Sequence, residues 1–428
     1  MNQSPLRPER VVFTLVPDPN PWDDAAALPR PGKPLSLALS LLVCLLCLYQ
    51  PVYGGPDWLA PAALLLSALS AVLIIRSIAS LLSAGALALL GGFVLSWEGA
   101  AYALCLVMVL SLSAYLICTL RSPWLLTLPV LCYVVALLWC GDAMLSLLPL
   151  LPLPAAGLLA YATMRNSGRV SAIVLASGML CLCGALGFAI LWFTAYGSVS
   201  LDAVLDALSA VRDELIALLE DHPATELLQE QLGEALSTLG TDAATLMRMG
   251  VEQMFHLLPA LLLTPINLLS FAAQSGCSAA FRQTGLGSLV TRTSSIFSLS
   301  PLSGLIFAAC TVTTMFASRQ TMALSVMQNL LIILFPGMLL VGVYKFIADT
   351  KNTRSPLLIG LVVAAALFAP PFLFWGLAIS GALASMLRPL ITRAVLLSGK
   401  PPFGPDKPDD KNSYDDSDHD SDHDNDPT

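Results

Sequence analysis

Long apolar runs, interrupted at intervals by short clusters of charge, glycine and proline, make up most of this chain. A helix that crosses a bilayer needs about 20 mainly apolar residues, because a rise of 1.5 Å per residue must span roughly 30 Å of hydrocarbon. On that measure seven candidate spans precede residue 198, at 35–52, 58–75, 77–96, 100–120, 124–139, 143–162 and 171–195. Arg76 ends the second, Trp97 and Glu98 the third, Arg121 the fourth, and Gly141 with Asp142 the fifth. Arg165 and Arg169 follow the sixth, and Trp192, Phe193 and Tyr196 close the seventh. Aromatics at such boundaries suit the headgroup level of a membrane. The apolar pattern returns at 255–273, 301–318 and 322–344, with a more polar connection at 274–300 that has room for a short interfacial helix. A last apolar region, 356–386, is long for one span and short for two.

Between these two blocks the periodicity changes. Leu201, Val204, Leu205, Leu208, Val211, Leu215, Leu218 and Leu219 recur every three or four positions, opposite Asp206, Arg212, Asp213 and Glu214. That spacing predicts an amphipathic helix beginning near Ser200, with Asp202 in its first turn. Pro223 ends it, and Leu227, Leu228, Leu232, Leu236 and Leu239 mark a second. The expected fold class is therefore all-α, a polytopic integral membrane protein of about 10–11 transmembrane helices with an acidic helical insertion. Its expected parts are a disordered N-terminal arm (1–34), a seven-span block (35–197), the acidic amphipathic loop (198–254), a block of three or four spans (255–396) and a disordered Asp-rich tail (397–428). The arm does not read as a cleavable signal peptide.

Composition agrees with the pattern. The chain is 56% hydrophobic and 12% charged, against roughly 25% charged in soluble domains, and its mean hydropathy is +0.76. The net charge of -8 hides an uneven distribution. Residues 198–254 hold eleven acids and two arginines (-9), residues 401–428 hold ten aspartates and two lysines (-8), and the rest of the chain is +9. With the acid confined to one loop and one tail, nucleic acid is excluded as a partner. With the N-terminus cytoplasmic, Arg76, Arg121, Arg165, Arg169, Arg282, Arg292, Lys345, Lys351 and Arg354 fall on the cytoplasmic side. Asp57, Glu98, Asp142, the acidic loop and Arg319 fall opposite. This is the positive-inside distribution of a multi-pass cell-membrane protein. The C-terminus stays open: one tilted final helix exports Arg388, Arg393 and Lys400, whereas a hairpin around Pro370 and Pro371 returns them.

Candidate chemistry is sparse. A polar side chain or helix break at membrane depth is costly and therefore informative. Asn267, Gln328 and Asn329 form a candidate intramembrane polar pocket, with interhelical hydrogen bonding as the plainer reading. Candidate helix breaks lie at Pro149, Pro152 and Pro154 and at Pro336 with Gly337. No charged residue lies well inside a span, which points away from a proton pump and toward a small neutral solute. No phosphate loop, dinucleotide fingerprint or His-Glu-x-x-His helix is present, so no catalytic residue, metal ligand or cofactor is assigned. The ten cysteines lie mostly in apolar runs and read as packing residues, including the closely spaced Cys44 and Cys47.

Three stretches carry a resemblance: Phe297-Ser298-Leu299-Ser300-Pro301 before one span, Gln328-Asn329-Leu330 within the next, and Leu367-Phe368 followed by Gly376 and Gly381. In these the chain resembles the YybS-like family of predicted bacterial membrane proteins, defined by a domain of unknown function, over about 35–395. That family is distantly similar to membrane components of energy-coupling-factor vitamin transporters. The resemblance implies a substrate-binding or translocation subunit in a bacterial plasma membrane, working with separate ATPase subunits. It carries over no functional residue, and this chain departs from it in having more spans and a larger acidic insertion. The expected function is a transport-associated subunit among membrane lipids. The alternative is a membrane scaffold or interaction protein of the cell envelope that contacts membrane protein partners through the acidic loop.

Overall fold

The computed structural model describes residues 41–42, 44–46, 48, 97–120, 127–220, 242–283, 287–291, 297–317, 321–353 and 369–398, with isolated positions between 222 and 231. The arm 1–34, nearly all of the first three expected spans, the second amphipathic helix of the insertion and the tail beyond Ser398 lie outside the described residues. Among those described, every regular element is helical. Ten α-helices are α1 (Trp97–Leu120), α2 (Thr127–Cys140), α3 (Leu153–Met164), α4 (Arg169–Tyr196), α5 (Leu201–Glu220), α6 (Ala243–His256), α7 (Leu258–Gln283), α8 (Pro301–Phe316), α9 (Met322–Thr353) and α10 (Pro370–Ser398). Among the described residues five helical segments are long and apolar enough to cross a membrane: Leu145–Met164, Arg169–Tyr196, Leu258–Arg282, Met322–Ala348 and Pro370–Arg388. The chain is an all-α membrane protein.

Local sequence explains where these helices start and stop. Pro149, Pro152 and Pro154 remove three backbone donors in close succession, so no uninterrupted α-helix can form there. The segment opens on Asp142, whose Oδ1 accepts from the Met144 amide at 2.7 Å, and continues as a 3-10 turn over Leu145–Leu150. It restarts as α3, with Pro152 at the N-cap and Pro154 in the first turn, where a missing donor costs nothing. Gly197 ends α4 in a left-handed conformation, φ 73°, which glycine adopts without strain. Ser300 caps α8 by accepting from the Ser303 amide at 3.2 Å, ahead of Pro301.

Two boundaries differ from expectation. The helix expected over 255–273 runs instead from Leu258 to Gln283, because Gln274, Ser275 and Ser278 face protein neighbours and carry the helix through the stretch that reads as polar. In the final apolar region α10 begins at Pro370, so the two prolines open a helix rather than kink one. Residues 354–368 lie outside the described residues.

The helices alternate between two ends of the bundle. α1 and α3 run together, with the Cys118 thiol facing the Ala160 carbonyl. The 165–168 turn then starts α4 at the end where α3 finishes. α7 returns antiparallel to α4, since Arg169 meets Gln274 while Ile173 and Val174 lie beside Asn267 and Leu268. α8 and α9 are antiparallel, pairing Phe307 with Phe335 at 6.4 Å between ring centroids. α10 crosses α9 at close range, with Gly381 against the Met338 carbonyl and Gly342 against that of Leu377, and Trp375 meets Phe335 at 5.1 Å between ring centroids. One end thus collects Arg165, Arg169, Arg282, Lys345 and Lys351, and the other collects Asp142 and the acidic insertion.

The insertion separates the two blocks in sequence and not in space. Leu110, Tyr115, Ala156, Ala160, Ala172, Ala176 and Phe281 share one buried cluster built by α1, α3, α4 and α7. Cys44 is buried in a neighbouring cluster with Cys105 and Cys132. Outside the bundle Leu182 is 68% exposed and Leu186, Phe188 and Phe193 face outward with it, the surface that hydrocarbon covers in a bilayer. Arg169 and Trp192 lie at opposite ends of α4, separated along the axis by about 35 Å at 1.5 Å per residue. That distance places both near the two headgroup levels.

Candidate functional site

α7 and α9 run parallel, and matched contacts recur along them about every two helical turns, roughly 10.5 Å. Ala260 faces Asn329, Asn267 and Pro336 border one cleft, and Gln274 and Tyr344 both approach Arg169. The pair therefore carries three layers in order from the acidic end to the basic end.

The first layer is an amide clamp. The Asn329 side chain accepts from the Ala260 amide at 2.9 Å and donates to the His256 carbonyl at 2.9 Å. Ala260 lies in the first turn of α7 and His256 in the last turn of α6, the places where backbone groups lack partners within their own helix. One side chain thus closes both sides of the α6–Leu257–α7 corner. Gln253 of α6 adds a hydrogen bond to Gln328 at 2.8 Å. Gln328 and Asn329 act as interhelical ties that fix the end of the insertion to α9.

The middle layer is a cleft of about 190 Å³ between α4, α7, α9 and the Phe297–Leu299 approach to α8. Val170, Ile173 and Val174 form one wall, Leu268 and Phe271 the second, and Pro336, Gly337 and Leu340 the third. Asn267 is the one polar side chain among the lining residues, and it is half-buried. Val174 is 61% exposed, so the cleft opens sideways through the outer surface of α4. Phe271 and Phe297 meet edge to face at 5.5 Å and close the inner side.

Pro336 and Gly337 shape this space without breaking α9, which continues as one helix from Met322 to Thr353. Proline removes a donor, and glycine removes a side chain at the wall. A Cβ on Gly337 would lie 3.1 Å from Leu299 and 3.8 Å from Phe297. Of the residues singled out in the sequence, the structure brings Asn267, Pro336 and Gly337 together and sets Gln328 and Asn329 two turns away. Pro149, Pro152 and Pro154 lie elsewhere, in a segment whose Leu151 and Leu148 pack on Gly187 of α4.

The third layer was not legible as a site. The Arg169 Nε donates to Gln274 Oε1 at 2.8 Å and its Nη2 to the Ser275 hydroxyl at 2.5 Å. Its guanidinium lies 4.7 Å from the centre of the Phe271 ring, over the wall of the cleft. Tyr344 hydrogen-bonds to the same guanidinium, and Arg282 is near enough to repel it electrostatically. Gln274 is buried and held from its other side by Ser278 at 2.8 Å. In the sequence Arg169 reads only as an orientation marker; its position one residue before Val170, at the start of the seventh span, is the signal that ties it to the cleft.

Among the described residues no group of His, Cys, Asp and Glu is placed to hold a metal ion. Comparison of the chain with protein-family models, with curated proteins and with solved structures finds no match.

Proposed function

We propose that this chain is a transport-associated integral membrane subunit whose cleft between α4, α7 and α9 binds an apolar solute reached from within the bilayer. The observation that carries the reading is the chemistry of the cleft: a sideways opening, a nearly all-apolar lining and one amide, Asn267. Pockets for polar solutes place several convergent polar groups around the ligand, and pockets that enclose a whole drug-sized ligand occupy about 300–1,000 Å³. At about 190 Å³ this one fits a segment of a hydrocarbon ligand, with the remainder left in lipid. The small neutral solute expected from the sequence is thereby narrowed to one that partitions into membranes.

The bacterial plasma membrane, with the N-terminus and the basic end cytoplasmic, is part of the same proposal. It is supported by eight basic residues (Arg121, Arg165, Arg169, Arg282, Arg292, Lys345, Lys351, Arg354) against Asp349 alone in the segments at that end. The resemblance to YybS-like proteins adds separate ATPase subunits as partners there. A neutral photoreactive alkyl alcohol incubated with the purified protein should label α4, α7 and α9 around the cleft, and Gly337→Leu should remove that labelling while leaving the fold intact. Labelling spread evenly over the outer helical surface in both proteins would sink the proposal.

The scaffold reading has its own support in α5, where Leu201 is 74% and Leu218 61% exposed on the apolar face of the insertion. Photocross-linking from position 205 in intact cells distinguishes the two, since a scaffold yields a reproducible protein adduct there.

A further inference from the structure

We infer that the cleft and the Arg169 layer form a single site for an anionic phospholipid of the basic leaflet, with an acyl chain in the cleft and the phosphate at Arg169. The inference rests on the reading of the cleft as an apolar binding site and adds the chemical class of what enters it. Three observations join the two layers. Phe271 belongs to both, lining the cleft and lying under the Arg169 guanidinium at 4.7 Å. Val170, Ile173 and Val174, the next residues of the same helix, form the outer wall, so the charge stands at the basic end of that wall, one residue beyond the lining of the cleft. Arg169 also begins α4, about 35 Å along the axis from Trp192, at the level where headgroups lie.

The charge of this end agrees with the assignment. Arg282, at the same end of the bundle, adds a second positive charge whose field reaches Arg169, and an anionic headgroup at that end is favoured by both. Gln274, buried and fixed by Ser278, orients Arg169 through the Nε hydrogen bond. A guanidinium held in one orientation meets a phosphate with less loss of side-chain freedom than a loose one. The cleft volume sets the other half of the ligand. A space of about 190 Å³ is too small for two chains and a headgroup, and it suits a length of one acyl chain whose remainder and sister chain stay in the bilayer.

The test uses the full-length protein in nanodiscs of equimolar phosphatidylglycerol and phosphatidylcholine, with retained lipid counted by native mass spectrometry after transfer to detergent. We expect one firmly retained lipid, enriched for phosphatidylglycerol by about fivefold, the effect of roughly one arginine near an anionic headgroup. Arg169→Gln should abolish the enrichment and Arg169→Lys should keep most of it. Val174→Trp, which narrows the mouth and leaves the charge in place, should lower retention of both lipids. Equal retention of the two lipids by the unaltered protein overturns the anionic site, while labelling by the neutral alkyl probe still supports the apolar cleft. Retention of added oleate and of neither phospholipid overturns it too, since the source is then a free fatty acid. If Arg169→Gln does not fold, Val174→Trp decides: unchanged enrichment and unchanged retention mean that head and chain do not share one site, and the inference fails.

Discussion

α9 presents two glycines to two different neighbours, and the contrast explains how one helix both holds the bundle and opens it. Gly342 faces α10, where the backbone of Leu377 occupies the space that a side chain would need. Gly381 returns the contact from α10, its Cβ position 2.8 Å from the Gly342 nitrogen and overlapping the Met338 carbonyl oxygen. Gly337 faces the cleft, where the nearest atoms are the yielding ends of Leu299 and Phe297. In the bilayer, lipid tails are as apolar as the helices, so close backbone approach supplies much of the association. A glycine against backbone is therefore a structural requirement, whereas one against side-chain tips leaves room for a ligand.

Substitution at the seam should give the largest effect. Gly342→Leu or Gly381→Leu forces α9 and α10 apart and should destabilise the protein by about 3 kcal/mol or more, since backbone cannot repack around the added atoms. Gly376, on the same helix, has open space around its Cβ position. Gly376→Ala should be neutral or stabilising by up to about 1 kcal/mol through helix propensity. Thermal unfolding in detergent micelles, read by tryptophan fluorescence, ranks the three, and equal loss at 376 and 381 would refute the seam. Gly337→Leu, which presses on the yielding tip of Leu299 at 3.1 Å, should cost less than the seam substitutions and yet remove cleft labelling, which separates packing at Gly342 from binding at Gly337 on α9.

The amide clamp comes next in size. Asn329→Leu removes the acceptor for the Ala260 amide and the donor to the His256 carbonyl, groups at helix ends that then lack partners. The cost should be about 1–3 kcal/mol, and Gln328→Leu, which loses only the Gln253 contact, should cost less. Hydrogen exchange followed by mass spectrometry should localise the Asn329→Leu effect to the α6–α7 corner. Uniform exchange across the bundle would mean that Asn329 acts elsewhere.

How much of this was readable beforehand follows from the range of each interaction. Local rules marked the helix ends at Pro301, Tyr196 and the Pro149–Pro154 run, because caps and missing donors act within one turn. Membrane depth made Asn267, Gln328 and Asn329 conspicuous, but the sequence holds no information on the seven-residue offset that sends Asn329 to a helix corner and Asn267 to a cleft. In sequence Gln274 and Ser275 look like a polar connection because their partner, Arg169, is 105 and 106 residues away. A polar residue paired across that separation looks like a loop until the packing of α4 on α7 is known. The same blindness applies to Gly342 and Gly381, which differ from Gly376 only in what faces them.

The smallest effect concerns α6, the helix that the clamp anchors, and it turns on pH. Asp242 caps α6, its carboxylate accepting from the Thr245 amide at 2.9 Å. Hydrogen bonds from the Thr245 side chain and amide hold the carboxyl below its ordinary value, because both favour the charged form. A folded-state value below the unfolded one means that the cap stabilises α6 fully above the ordinary carboxylate range and is lost as pH falls through the lowered value. Protection of the amides in the first turn of α6, after correction for the intrinsic exchange rate, should therefore fall on acidification, with the α9–α10 seam unaffected. Asp242→Asn keeps a capping oxygen with no proton to gain, so protection of its first turn should not change with that acidification. A pH dependence that survives the substitution would assign the effect to another acid of the insertion, and a seam that loosens in parallel would show that α6 and the transmembrane bundle open as one unit.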